Sequence, residues 1–157
     1  MPLSRIIIVD DHEVVRLGLR NLLKQYPQYD VVAEACNARE AIKQVGMHKP
    51  DIVLMDIRLP GISGISACEE IIKNHPQTKV IMLTSYAEDE MLFSAIKAGA
   101  SGYLLKQINA DGLVKSIEAV VRGDASLDPA VTQRVFQEVR KAIRAEEASA
   151  FAGLSQQ

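Results

Sequence analysis

The sequence predicts an α/β fold built on a doubly wound parallel sheet. Short apolar runs recur along the 157 residues, and most lack polar alternation, the mark of strands buried on both faces. Stretches with apolar residues at helical spacing separate these runs. Pro, Gly and Asn punctuate the joins. Strand and helix alternating at this length imply a parallel sheet covered on both sides.

The elements follow in order. Ile6-Ile7-Ile8-Val9 is the first strand and ends in Asp10-Asp11. Val14, Val15, Leu17, Leu19, Leu22 and Leu23 form the apolar side of a helix running to about Tyr26-Pro27. Tyr29 to Ala35 is the second strand. Asn37 and Glu40 have capping-box spacing, ahead of a helix facing inward through Ala38, Ala41, Ile42 and Val45. Lys49-Pro50-Asp51 stops that helix. Ile52 to Met55 is the third strand; it ends in Asp56, before a loop carrying Pro60-Gly61 and Gly64. Ser63 caps the next helix, with Ile65, Ala67, Cys68, Ile71 and Ile72 apolar, and Asn74-His75-Pro76 ends it. Val80 to Leu83 is the fourth strand, leading into Thr84-Ser85. A helix spans Glu88 to Ala98, with Gly99 as its stop. Gly102 to Leu105 is the fifth strand and ends in Lys106. Asn109 caps a helix reaching Arg122-Gly123.

This is (βα)5. Right-handed crossovers leave few topologies, and the flavodoxin-like strand order 2-1-3-4-5 fits best. Beyond Gly123, Asp128-Pro129 opens a sixth, amphipathic helix with Val131, Val135, Val139 and Ile143 four apart, reaching about Ala148.

Composition narrows the class. Hydrophobic residues make up 48% and charged residues 24%, enough to build a core. The formal net charge of −2 gives no general basic footprint for nucleic acid. Cys36 and Cys68 lie far apart without metal-ligand spacing, which reads as reduced thiols in a cytoplasmic protein. The opening apolar run is too short for a signal core, and nothing approaches the ~20 apolar residues of a membrane span.

Chemistry concentrates at the carboxyl ends of the strands, where open α/β sheets bind ligands. Asp10, Asp11 and Asp56 converge there with Thr84, Ser85 and Lys106. Clustered carboxylates repel and raise one another's pKa, so a divalent cation is expected among them. Oxygen donors without clustered His or Cys suit Mg²⁺. A lysine opposite such an ion makes sense if a doubly charged anion enters between them, and phosphoryl is one. Asp56 is the most central acid and can become an aspartyl phosphate; the Thr84 hydroxyl can bond a phosphoryl oxygen.

The Asp10-Asp11 pair, Val53 to Gly64 around Asp56, Thr84-Ser85, and Gly102-Tyr103-Leu104-Leu105-Lys106 together resemble the receiver domain of bacterial two-component response regulators. The wording of Val9 to Arg16 and of Ala98 to Lys106 is most similar to the NarL/FixJ (LuxR-type) subfamily. The resemblance implies a receiver over residues 1–124, a linker helix over 125–149, and the opening of a helix-turn-helix DNA-binding domain in 150–157. It implies Asp56 as phosphoacceptor. Asp11 and Asp56 would ligate Mg²⁺, with Asp10 acting mainly through water and the backbone carbonyl of Arg58 completing the set. Thr84 and Lys106 would contact the phosphoryl group, and Thr84 and Tyr103 would form a switch pair. A sensor histidine kinase would be the donor, and phosphorylation would favour a homodimer. DNA would be bound only through the output domain. The chain would accept phosphoryl and, at most, lose it slowly, rather than act as an enzyme.

Other readings stand beside these. A stand-alone receiver would act by protein contact only. A haloacid-dehalogenase-type phosphatase would carry a second Asp two residues after the nucleophile, where this chain has Arg58. His12 reads as a first-turn helix residue, since His48 and His75 are far away in sequence. Tyr103 also suits a half-buried aromatic on an edge strand. Many receivers have proline after the lysine; here Gln107 follows, so a trans Lys106–Gln107 bond is expected.

Overall fold

The computed structural model describes residues 3–85 and 88–155. The chain runs β1 (Ser4–Val9), α1 (Glu13–Lys24), β2 (Tyr29–Ala35), α2 (Ala38–His48), β3 (Ile52–Met55), α3 (Gly64–Asn74), β4 (Lys79–Thr84), α4 (Asp89–Lys97), β5 (Gly102–Leu105), α5 (Ala110–Val121), β6 (Ser126–Leu127) and α6 (Pro129–Ser155). The chain divides into two units, residues 1–127 and 128–157.

In the first unit all strand pairs are parallel, in the order β2-β1-β3-β4-β5-β6. The expected order 2-1-3-4-5 is present, with one strand added at the edge. All residues of β3 and β5, and Ile6 to Val9 of β1, are buried. Each buried Ile, Leu or Val contributes about 1.5–3 kcal/mol, so these runs form the layer on which the helices pack. Ile6, Ile8, Ile52, Leu54, Ile81 and Leu104 pack with Leu113, Ile117 and Val120 of α5 in one cluster.

Caps fix most helix starts. The side chains of Asn37, Ser63 and Asn109 accept from the N–H of Glu40, Ser66 and Gly112 respectively, each three residues on. The capping box at α2 is only half formed, because the Glu40 carboxylate accepts from the Cys36 thiol (3.2 Å). Gly99 (φ 97°) follows α4 as a left-handed stop. No peptide bond among the described residues is cis, so the Lys106–Gln107 bond is trans as expected.

Three expectations change. β6 pairs Ser126 and Leu127 with Gly102 and Tyr103, so β5 is an interior strand and the first unit extends past residue 124 to Leu127. Tyr103 is 1% exposed rather than half-buried on an edge. In the second unit, Asp128 caps α6 by accepting from the Ala130 N–H (3.0 Å). The helix then runs past Ala148 to Ser155, through most of the stretch expected to open a new domain. The segment Ala145-Glu146-Glu147-Ala148-Ser149-Ala150 contains no breaker and is rich in strong helix formers. Phe136, Val139 and Ile143 of α6 are exposed.

Candidate functional site

The register of the sheet assembles the site. Val9 pairs with Met55, so the next residues, Asp10 and Asp56, emerge side by side at the tips of β1 and β3. The Asp56 N–H donates to the Val9 carbonyl and the Asp10 N–H to the Ala35 carbonyl, which anchors both acids to strand backbone. Thr84 pairs with Leu105, and the Lys106 N–H donates to the Thr84 carbonyl. Lys106 thus points across from the far side of the same edge. This is where the strand order reverses, between β1 and β3.

Asp10 is 2% exposed, Asp56 5% and Thr84 fully buried. Lys106 Nζ lies 2.6 Å from Asp10 Oδ2 and 3.1 Å from Asp56 Oδ2. One ammonium therefore serves two buried carboxylates. Burial pushes the Asp56 carboxyl above its ordinary range; Lys106 opposes this and the Asp10 charge adds to it. Burial also acts upward on Asp10, but there the bonds from Lys106 and His12 outweigh it and hold the carboxyl low. Burial works against the charged form of Lys106, yet its two acid partners raise its pKa. Asp11 is the outer acid, with its side chain 31% exposed.

His12 departs from its sequence reading. It is the extended residue before α1 rather than part of its first turn. Its Nδ1 lies 2.9 Å from Asp10 Oδ1 and 3.2 Å from Asp11 Oδ1, and its N–H donates to Asp10 Oδ1. Its position directly after two acids was the available signal; the sequence could not show that the ring folds back over them. Arg58 is exposed, and its guanidinium pairs with Glu88 (2.8 Å) across to the start of α4. That partner, thirty residues on, carried no sequence signal.

Gly64 is the residue that lets the loop after Asp56 close. Its N–H donates to the Ile57 carbonyl (2.7 Å), and a Cβ there would stand 2.0 Å from the Asp56 carbonyl oxygen. Only glycine permits that approach.

Asp10, Asp11, His12 and Asp56 each offer a ligand atom, all within 4.8 Å of one another. Three carboxylates with one lysine leave excess negative charge at a site whose inner acids, Asp10 and Asp56, are buried. The donor set is oxygen-rich, and the one nitrogen already bonds two of the acids. That suits a hard divalent cation such as Mg²⁺. The sequence-predicted Asp10, Asp11, Asp56 and Lys106 therefore do meet, with Thr84 at the adjoining strand tip. Tyr103 lies three residues before Lys106 in the interior of β5, in register with Met82 of β4.

Fold and acidic edge are those of a receiver. Residues 6–118 match the response regulator receiver domain family, and the chain belongs to it. It is 39% identical over 153 residues to the DNA-binding transcriptional activator DevR/DosR of Mycobacterium tuberculosis, covering 98% of this chain and 70% of that protein. It is 34% identical over 143 residues to the transcriptional regulatory protein DegU of Brevibacillus brevis, covering 91% of this chain and 61% of DegU. The chain thus spans about three fifths of DegU. Among solved structures it resembles a LuxR-family two-component response regulator from an Aurantimonas species, with 38% identity, a TM-score of 0.82, and 87% and 97% of the two chains covered. The isolated receiver domain of RcsB from Salmonella enterica, in the presence of phosphomimetic BeF₃⁻, superposes with a TM-score of 0.77 at 25% identity, covering 83% of this chain and 97% of that one. The relatives place the chain among LuxR-family response regulators. Among the described residues no helix is long and apolar enough to cross a membrane.

Proposed function

We propose that Asp56 accepts a phosphoryl group from the phosphohistidine of a sensor kinase, and that this controls the output of a LuxR-type transcriptional regulator. The observation that carries the reading is Asp56 itself: a buried acid with a raised pKa, between a second acid and one shared lysine, at the tip of a central strand. Structural acids are rarely left in such company.

Asp11 and Asp56 would hold Mg²⁺ by side chain, with Asp10 acting mainly through water and the backbone carbonyl of Arg58 completing the set. The ion would supply positive charge between the acids and an incoming phosphoryl group. An Asp56 carboxylate oxygen forms the new O–P bond as the donor's N–P bond breaks, and the freed imidazole leaves with the electron pair. Lys106 transfers its contact from the carboxylates to a phosphoryl oxygen. The Thr84 hydroxyl bonds another, and Tyr103 responds as the second member of the switch. Repacking follows over α4, β5 and α5.

In this reading the first unit is the receiver and α6 the linker, with residues 150–157 leading into a helix-turn-helix domain. The phosphorylated regulator forms a homodimer and binds DNA through that domain. The protein works in the cytoplasm, where its kinase donor and DNA are found. It is an acceptor rather than an enzyme, with slow self-dephosphorylation at most. Incubation with Mg²⁺ and a small acyl-phosphate, followed by intact mass, tests the assignment. Wild type gains one phosphoryl group and Asp56→Asn gains none; equal gain by both defeats it.

A further inference from the structure

We propose that Arg16, held in place by Glu34, is a positioning residue for the acid pair Asp10–Asp11. This rests on the metal reading of the site. Beyond Val9, strand pairing between β1 and β3 ends, so the Asp10 carbonyl needs another donor. Arg16 supplies it: Nη1 donates to the Asp10 carbonyl oxygen at 2.6 Å. On the other side, the Asp10 N–H is held by Ala35.

The bonded carbonyl belongs to the peptide that joins the two acids. That unit is planar, so fixing its oxygen fixes the direction in which Asp11 leaves the chain. This matters most for Asp11. Asp10 has Lys106 and His12 on its carboxylate, whereas among the described residues the Asp11 carboxylate pairs with His12, whose side chain is 65% exposed. The aim of Asp11 therefore depends on its backbone.

Glu34 makes Arg16 usable. A guanidinium this near an acidic pocket would be drawn onto the carboxylates. Glu34 Oε1 accepts from Arg16 Nε (3.2 Å), and its other oxygen pairs with Arg20. The Arg16 fork is thus turned to the backbone on one prong and to β2 on the other, with its side chain 17% exposed. Groups that orient a metal's ligands typically change affinity by about 10–100-fold when removed.

The competing role is plain glue between α1 and β2, which would alter stability alone. Calorimetric titration of the full chain with Mg²⁺ separates the two, with circular dichroism and thermal unfolding in metal-free buffer alongside. Arg16→Gln is expected to fold and to bind Mg²⁺ about 10–100-fold more weakly. Arg16→Lys recovers part of the loss, because it keeps one donor. Glu34→Gln weakens binding less than Arg16→Gln. Wild-type affinity in folded Arg16→Gln overturns the proposal; if that variant does not fold, unchanged affinity in folded Glu34→Gln does so. Asp11→Asn is the control: if wild type takes up no Mg²⁺ that this change removes, the metal reading falls and the proposal with it, whereas a sound control with an unaffected Arg16→Gln defeats the proposal alone.

Discussion

β3 carries an aspartate just outside each end, and the two live in opposite circumstances. At the amino end, Asp51 is exposed. Its Oδ2 accepts from the Arg5 N–H (2.8 Å), while its own N–H and carbonyl stitch to Arg5 and Lys79. Every bond there fastens one strand to its neighbour. At the carboxyl end, Asp56 is buried against Asp10, and both lean on Lys106. The residue type is the same and only four residues of strand separate them. The difference is that one end satisfies its charge while the other crowds it. Crowded negative charge is the property that a bound cation can relieve.

Three substitutions test that contrast, in falling order of effect. Lys106→Met leaves two buried carboxylates uncompensated. Without divalent cation at pH 7 it is expected to cost about 3 kcal/mol in denaturant unfolding, with part of the loss recovered on adding Mg²⁺. A cost near zero would mean the acids are not crowded. Asp56→Asn has the opposite sign: it relieves repulsion and stabilises the metal-free protein by about 1 kcal/mol at pH 7. Because the folded Asp56 pKa is raised, wild-type stability from this group is present at low pH and is lost as pH rises through that value. The variant's advantage should therefore fade on acidification, while the lowered pKa of Asp10 makes its own contribution disappear only at still lower pH. An advantage that grows on acidification would contradict the assignment. Asp51→Asn keeps an oxygen for the Arg5 N–H and should change stability by less than about 0.5 kcal/mol, with no dependence on Mg²⁺.

The sequence was most informative where chemistry is local. Ile6 to Val9, Ile52 to Met55 and Val80 to Leu83 read as strands because buried parallel strands are apolar throughout. Asp128-Pro129 and the Asn37, Ser63 and Asn109 caps read as helix starts because capping acts over three residues. The acids and Lys106 could be gathered because βα order alone puts strand ends on one edge. What escaped depended on distant partners. Ser126-Leu127 is too short to show periodicity and is a strand only because β5 lies beside it. Tyr103 looked like an edge residue for the same reason. Arg16 and Glu34 are eighteen residues apart, on different elements, and nothing in either stretch announces the other. The far end of α6 runs on past Ala148 because Ala145 to Ala150 carries no helix breaker.

The two thiols offer a practical handle. Cys68 is buried in α3, which pushes its pKa up to about 12, whereas Cys36 is exposed just past β2, beside the glutamate that lifts its own pKa. Alkylating dyes attack the thiolate, so in the native chain they should find Cys36 and leave Cys68 untouched. A fluorophore can thus be seated next to Ala35, whose carbonyl holds Asp10, without altering a single residue.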